Sequence, residues 1–193
     1  MAGLCFCVQR VKGLMNRWIT LLRGVNVSGK NKLPMADFRA ALTEAGFESV
    51  QSYIQSGNVV LDANEGMSQK DVSQAVNAIL SDKFDIQTPL MLLTQEQLKR
   101  AALANPLGQS FEKANWMFLF FLSEVPTSPN LQKLEDLSTD NERWELRGDV
   151  FYVFAGDGAG RSKLIARAEK LLGVSATARN WKTVQKLIEM TDG

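Results

Sequence analysis

Residues 18–61 constrain the fold of this 193-residue chain more than any other segment. An apolar run, WITLL, predicts a buried strand over residues 17–22 and is followed by the loop RGVNVSGKNKLPM. Residues 35–45 then place apolar side chains at helical spacing after a proline that suits a first helical turn. Two runs rich in β-branched and aromatic residues, 50–55 and 59–61, complete the stretch. This order predicts strand, helix, strand, strand.

Glycines mark where these first elements end. Gly46 follows the first predicted helix at the position where a left-handed residue closes a Schellman motif, with Phe47 placed to touch Leu42. Between the two strand-like runs, Gly57 and Asn58 predict a type II′ hairpin with glycine first. Both signals place sharp reversals of the chain at defined residues.

The pattern continues as a helix, a strand and a further helix. Ser68 with Asp71, and Thr94 with Gln97, have the spacing of capping boxes, and each pair opens a predicted helix. Residues 90–93 form the strand between them. The resulting β-α-β-β-α-β order, with one helix appended, is the connectivity of a ferredoxin-like sandwich with an antiparallel sheet.

The same order starts again after residue 114. Residues 115–122 predict a strand, a helix follows Pro129, and residues 143–147 pair with 150–154 across Gly148 and Asp149. Two further helices follow, after Gly160 and at Asn180, and no final strand is predicted in this half. Trp18 and Trp116 lie 98 residues apart, and Gly57 and Gly148 lie 91 apart, which indicates an internal duplication.

We therefore predict an α+β protein of two similar ferredoxin-like, βαββα-type subdomains with antiparallel sheets. The first spans residues 15–105 and the second spans residues 106–193. Residues 1–14 are predicted to be a disordered N-terminal extension, because their apolar core is shorter than that of a signal peptide and no cleavage site follows it.

Composition excludes several classes of function. The chain has no histidine, which removes histidine-based acid–base and nucleophilic catalysis, and its two cysteines both lie before residue 8. No metal and no cofactor are therefore expected, and a reducing cytoplasm is the predicted location. No apolar run is long enough to span a bilayer, and the net charge of +1 gives no global attraction to nucleic acid.

Positive charge nevertheless gathers in three stretches near predicted helix starts. These are the loop after the first strand, the run GDGAGRSK, and the segment before the last helix. Backbone N–H groups and the helix dipole favour anions there, and lysine or arginine adds charge-assisted bonds to phosphate. The candidate anion-binding residues are Arg23, Asn26, Lys30, Lys32, Arg161, Lys163, Arg179 and Asn180.

Our hypothesis is that these loops form one basic cleft for a phosphate-containing ligand, either a nucleotide or a nucleic-acid backbone. Turn geometry, helix capping and surface solvation explain the same residues without a ligand. The run GDGAGRSK is neither a Walker A loop nor a dinucleotide fingerprint. Two alternatives stay open: an enzyme that acts on an anionic substrate with a carboxylate in the same cleft, and an interaction module that uses a sheet edge. The sequence does not decide oligomeric state.

Nucleic-acid binding through a stacking platform is a further alternative. Aromatic residues on the predicted strands could supply one: Tyr53, Trp116, Phe118, Phe120, Tyr152 and Phe154. Aromatic residues flanked by leucines in strands are more often core residues.

Three sequence blocks resemble those of an uncharacterised bacterial family, domain of unknown function 1697. They are LLRGVNVSGKNKLPM, SYIQSGNVV, and the late SKL with TARNWKTVQKL, so that the likeness covers residues 18–190. The resemblance implies two similar ferredoxin-like subdomains and implies no activity, substrate or cofactor. The first block, the run SKL and the run TARNWKTVQKL contain residues of the three basic stretches, which favours a shared site.

Overall fold

The computed structural model describes residues 14–27, 29, 31–108 and 114–192. The predicted extension, apart from Leu14, lies outside these residues. The first half contains β1 (Met15–Leu22), α1 (Met35–Glu44), β2 (Glu48–Tyr53), β3 (Asn58–Asn64), α2 (Gln69–Phe84), β4 (Leu90–Thr94) and α3 (Gln95–Leu103). The second half contains β5 (Met117–Leu122), α4 (Leu131–Leu137), β6 (Glu142–Arg147), β7 (Val150–Ala155), α5 (Lys163–Leu172), β8 (Ala176–Asn180) and α6 (Trp181–Asp192).

The strands form two four-stranded antiparallel sheets with the same arrangement. Their orders are β2-β3-β1-β4 and β6-β7-β5-β8, so the first strand of each half lies between the third and the fourth. The predicted α+β class with two similar subdomains is confirmed. The prediction that the second half lacks a final strand was wrong, because β8 pairs with β5 over its whole length. Its sequence, ATARN, is only five residues long and has no large apolar side chain, so it gives a weak strand signal.

The sheets and helices form layers, and three hydrophobic cores lie between these layers. One face of the first sheet packs on α1 and α2, and one face of the second sheet packs on α4 and α5. The other two faces meet in a central core that also contains residues of α3 and α6, with Ile19 and Leu119 among its fully buried members. Because both halves contribute to this core, their relative position is fixed by apolar burial.

Most of the predicted chain reversals are confirmed. Gly46 is left-handed and Phe47 N–H donates to Leu42 O, as a Schellman ending requires. Both capping boxes are present. Arg147 pairs with Val150 across a two-residue turn, as expected.

The predicted hairpin joins β2 and β3, but the predicted two-residue turn at Gly57 and Asn58 was wrong. Tyr53 pairs with Asn58, so the loop has four residues, 54–57, and Asn58 begins β3 instead of lying in the turn. Gly57 is held against β1, where its carbonyl accepts from the N–H of Leu22. The buried Asn58 side chain donates to Tyr53 O and Ser56 Oγ. These contacts outweigh the local turn preference.

None of the helices in the described part of the chain has the length and apolar character that crossing a bilayer requires.

Candidate functional site: a cleft between the two halves

A cleft of about 340 Å³ lies between the two subdomains. From the first half it is lined by the end of β1, the loop that follows β1, and Ser56. From the second half it is lined by Phe120, by one face of α5 and by β8. Two of its lining side chains, Arg23 and Arg179, are basic, and one, Glu169, is acidic. We call this space the cleft.

Arg179 joins the two halves at the inner end of the cleft. Its Nε donates to Oδ1 of Asn58 at 2.5 Å, and its Nη2 donates to Leu22 O at 2.7 Å and Ser56 O at 3.3 Å. Its Nη1 donates to Ala178 O at 2.8 Å. A guanidinium has five N–H donors. Among the described residues these four bonds therefore leave one Nη1 hydrogen without an acceptor.

All four acceptors of Arg179 are neutral. No ion pair joins Arg179 to a carboxylate in the described chain. Burial lowers the pKa of its guanidinium from 12.5 to about 10, because desolvation disfavours the charged form. The side chain is still a cation at neutral pH, so this partly buried positive charge has no counter-ion among the described residues.

The first half has leucine at the corresponding position. Leu93 pairs with Ile19 on β1, and Arg179 pairs with Leu119 on β5. The residue after each caps the following helix, through Thr94 in α3 and through Asn180 in α6. The fold therefore accepts an apolar side chain here.

Arg23 and Glu169 lie across the mouth of the cleft. Both guanidinium Nη atoms of Arg23 donate to the two carboxylate oxygens of Glu169, at 2.6 and 2.5 Å. This bidentate pair joins the loop after β1 to α5. The hydrogen bonds from Arg23 lower the pKa of Glu169 below its ordinary value, and the pKa of Arg23 is raised in turn.

One family model matches most of the chain. The family model described as "Protein of unknown function (DUF1697)" matches residues 15–152. The chain belongs to the DUF1697 family. The matched residues include β1, the loop after it and the Asn58 region, whereas Glu169 and Arg179 lie beyond the match.

Two solved structures are also similar to this DUF1697 chain. One is the conserved bacterial protein SP0830 from Streptococcus pneumoniae, with 26% identity, a TM-score of 0.72, and coverage of 92% of this chain and 99% of that one. A second, described as a candidate glycine cleavage system transcriptional repressor, has 10% identity, a TM-score of 0.24, and coverage of 86% and 98%. No curated protein matches the chain.

The cleft of this DUF1697 protein brings together only part of the predicted set of site residues. Arg23 and Arg179 line it. Lys32 and Arg161 are exposed and are not among its lining residues. Lys163 lines a different groove, between α4 and α5. Lys30 lies outside the described residues.

The two predicted asparagines have local structural tasks. Asn26 is left-handed, donates to Leu33 O and Gln55 O, and accepts from Leu33 N–H, so it fixes the shape of the loop beside the cleft. Asn180 Oδ1 accepts from Thr183 N–H and caps α6, as predicted. None of these four bonds involves Arg23 or Arg179.

Sequence reasoning missed Glu169 and Asn58. Glu169 lies at an ordinary position within an amphipathic helix, and its partner Arg23 is 146 residues away. Asn58 was assigned to a turn. Arg179, by contrast, is identified by its place in the basic segment before the last predicted helix.

Proposed function

We propose that the protein binds a small phosphate-bearing ligand, such as a nucleotide, in the cleft, with Arg179 and Arg23 as its cationic groups. The observation that carries the proposal is the partly buried guanidinium of Arg179, which lines the cleft and has only neutral partners. Withdrawing an unpaired charge from water costs free energy unless other groups compensate it. An anion in the cleft would supply the missing charge.

The hydrogen-bond geometry supports this choice of ligand. The four bonds of Arg179 hold its guanidinium in one orientation, and the remaining Nη1 hydrogen is the group that a ligand oxygen would accept from. Arg23 adds a second guanidinium at the mouth. Guanidinium groups form strong, directional bonds with phosphate oxygens.

The size of the cleft favours a small molecule over a nucleic-acid strand. A volume of about 340 Å³ is near the lower end for small-molecule sites. Aromatic stacking is also poorly supported, because Phe120 and Tyr152 are buried and the Tyr152 hydroxyl donates to Ala101 O in the central core. A nucleic-acid backbone is therefore less well supported as the ligand than a small molecule is.

Catalysis is the second candidate, because the cleft contains a carboxylate. Glu169 supplies the group that the enzymatic alternative needs. Its pKa, however, is lowered by Arg23. A carboxylate with a lowered pKa is a weak general base at neutral pH. Binding is therefore better supported than acid–base chemistry.

Pairing through a sheet edge has less support. The edge strand β2 carries exposed polar residues and is interrupted by a register shift between Glu48 and Gln51. On the other sheet, β6 carries Arg143 and Arg147, both exposed. Bulges and charges at an edge are features that oppose pairing with another strand.

Calorimetric titration with pyrophosphate and with ADP tests the proposal. The wild type is expected to bind at least one of them, with an affinity that falls as NaCl is raised. Arg179→Met should weaken binding roughly tenfold or more, because a charge-assisted hydrogen bond is lost. Arg143→Met, which removes an exposed arginine on β6 outside the cleft, is the matched control and should bind as the wild type does.

Asn58→Asp places a carboxylate beside Arg179 and removes the two bonds that the amide donates, to Tyr53 O and Ser56 Oγ, so its fold is checked before its binding is measured. The new carboxylate would occupy the position of the amide beside Arg179 and would neutralise the guanidinium without removing it. Circular dichroism should show a folded protein, and pyrophosphate affinity should fall. Wild-type affinity for both anions in folded Arg179→Met and Asn58→Asp proteins, or no binding by the wild type, would contradict the proposal.

We also infer that the two halves are duplicated ferredoxin-like units. The shared strand order and the equivalent helix caps at Thr94 and Asn180 support this inference. We further infer a cytoplasmic location, which the absence of cysteine after Cys7 supports.

A further inference from the structure

The helices α4 and α5 form a groove on the outer face of the second half. Its volume is about 560 Å³. Its apolar lining comes from Leu137 of α4 and from Ala166 and Leu171 of α5. Both leucines are half-buried, and the small side chain of Ala166 leaves space between the helices. We call this the α4–α5 groove.

Four basic side chains surround this apolar lining. They are Lys133 on α4, and Lys163, Arg167 and Lys170 on α5. The three on α5 are spaced four and three residues apart, so they lie along one helix face. All four are exposed, and within the described chain none of them forms an ion pair. The nearest acid on α5, Glu169, is bonded to Arg23 in the cleft.

The apolar lining and the surrounding cations together indicate which class of molecule the α4–α5 groove binds. A nucleic-acid backbone would pair with the cations and would leave the leucines uncovered, and no aromatic residue lines the groove for stacking. Exposed apolar surface rimmed by charge is typical of a docking site for an amphipathic segment, whose apolar side chains enter the groove.

We propose that the α4–α5 groove binds an acidic amphipathic segment of a partner protein. Apolar side chains of the segment contact Leu137, Ala166 and Leu171, and its carboxylates pair with the four cations. The groove shares only Ala166 with the lining of the cleft. The inference therefore does not depend on the proposed anion site. In this proposal Lys163 pairs with carboxylates of the partner segment, whereas the sequence pattern predicts that it binds phosphate in the cleft.

Fluorescence anisotropy with a designed peptide tests this docking site. The probe is a fluorescein-labelled 15-residue helical peptide with leucines on one face and glutamates beside them. A second peptide has the same composition with the leucines distributed around the helix, and a third probe is a 15-nucleotide single-stranded DNA. The wild type should bind the amphipathic probe more tightly than either of the others.

Charge reversal in the full-length protein gives the decisive comparison. Lys163→Glu with Lys170→Glu should weaken binding of the amphipathic peptide about tenfold or more, since each change replaces attraction by repulsion. Lys70→Glu with Lys182→Glu reverses two exposed lysines outside the groove and changes the net charge of the protein by the same amount. This control should change peptide affinity less than about twofold. Leu137→Ser should weaken binding without any change in charge.

Three outcomes would overturn the proposal. The first is equal loss of peptide binding in the two charge-reversed proteins. The second is equal affinity for the amphipathic and the redistributed peptide. The third is that the wild type binds the DNA more tightly than the amphipathic peptide, and that only the Lys163→Glu, Lys170→Glu protein loses DNA binding. This result would assign the groove to nucleic acid.

Discussion

Arg23 and Glu169 form a bidentate ion pair between the first half of the chain and α5, with N–O distances of 2.6 and 2.5 Å. Their side chains are 44% and 37% exposed. The pair lies at the mouth of the cleft, and it occupies one of the two guanidinium groups that the proposed ligand requires. The ligand and Glu169 therefore compete for Arg23.

Removing the competing carboxylate should strengthen anion binding. We expect Glu169→Gln to raise pyrophosphate affinity by up to about fivefold, because an exposed ion pair contributes at most about 1 kcal/mol. Titration calorimetry measures the change. The control is Glu124→Gln, an exposed glutamate on the loop after β5. An equal gain in both variants would show that only the net charge matters.

The same ion pair predicts an acid-dependent contribution to stability. The pKa of Glu169 is lower in the folded protein than its ordinary value of 4.5. Its contribution is therefore present above pH 4.5 and is lost as the pH falls through the folded value. The wild type should exceed Glu169→Gln in free energy of unfolding at pH 6, and urea titrations should show this difference shrinking towards pH 3. A difference that grows below pH 4.5 would be incompatible with the pair.

Tyr152 predicts the opposite behaviour at alkaline pH. Burial raises the pKa of its hydroxyl from 10 to about 12 in the folded protein. Its contribution is complete below pH 10 and is lost as the pH rises towards 12. Tyr152→Phe should lower the free energy of unfolding by about 1 kcal/mol at pH 7, because the bond to Ala101 O is lost. Urea titrations above pH 10 should show the variant approaching the wild type; a constant difference would contradict this origin.

Gly57 and Gly148 provide a matched pair of hairpin glycines. Both have positive φ, 75° and 56°. An added Cβ at Gly57 would lie 2.6 Å from Leu22 Cβ and 2.7 Å from Val25 Cγ2, whereas at Gly148 it would meet nothing within 4 Å. Both alanine variants carry the backbone strain, and only the first adds a clash. Gly57→Ala should therefore cost about 1–3 kcal/mol more than Gly148→Ala in urea unfolding. Equal costs would show that Leu22 and Val25 move aside freely.

Much of the fold follows from local sequence signals. Ser68 and Thr94 cap their helices as their spacing predicts, and Gly46 closes α1. These signals act within four or five residues, so they can be recognised without knowledge of tertiary contacts. The strand β8 escaped recognition because its strand conformation depends on pairing with β5, which lies more than fifty residues earlier.

The candidate site was less predictable because its contacts span the whole chain. Arg179 is recognisable as a basic residue, but its Nε donates to Oδ1 of Asn58, which lies 121 residues earlier. Lys163 was grouped with Arg179 because both lie near helix starts. The helix α5 instead turns Lys163 towards α4 and turns Glu169 towards Arg23. Which face of a helix meets which neighbour is set by tertiary packing, and the basic pattern alone does not contain it.

A crystal of the wild-type protein soaked in sodium selenate gives the most direct test of the cleft. Selenate resembles phosphate in shape and charge, and its anomalous scattering locates the anion without ambiguity. An anomalous peak is expected in the cleft, within hydrogen-bond distance of Nη1 of Arg179. Selenate bound only at other basic surfaces of the soaked crystal, with none in the cleft, would show that Arg179 does not form an anion site.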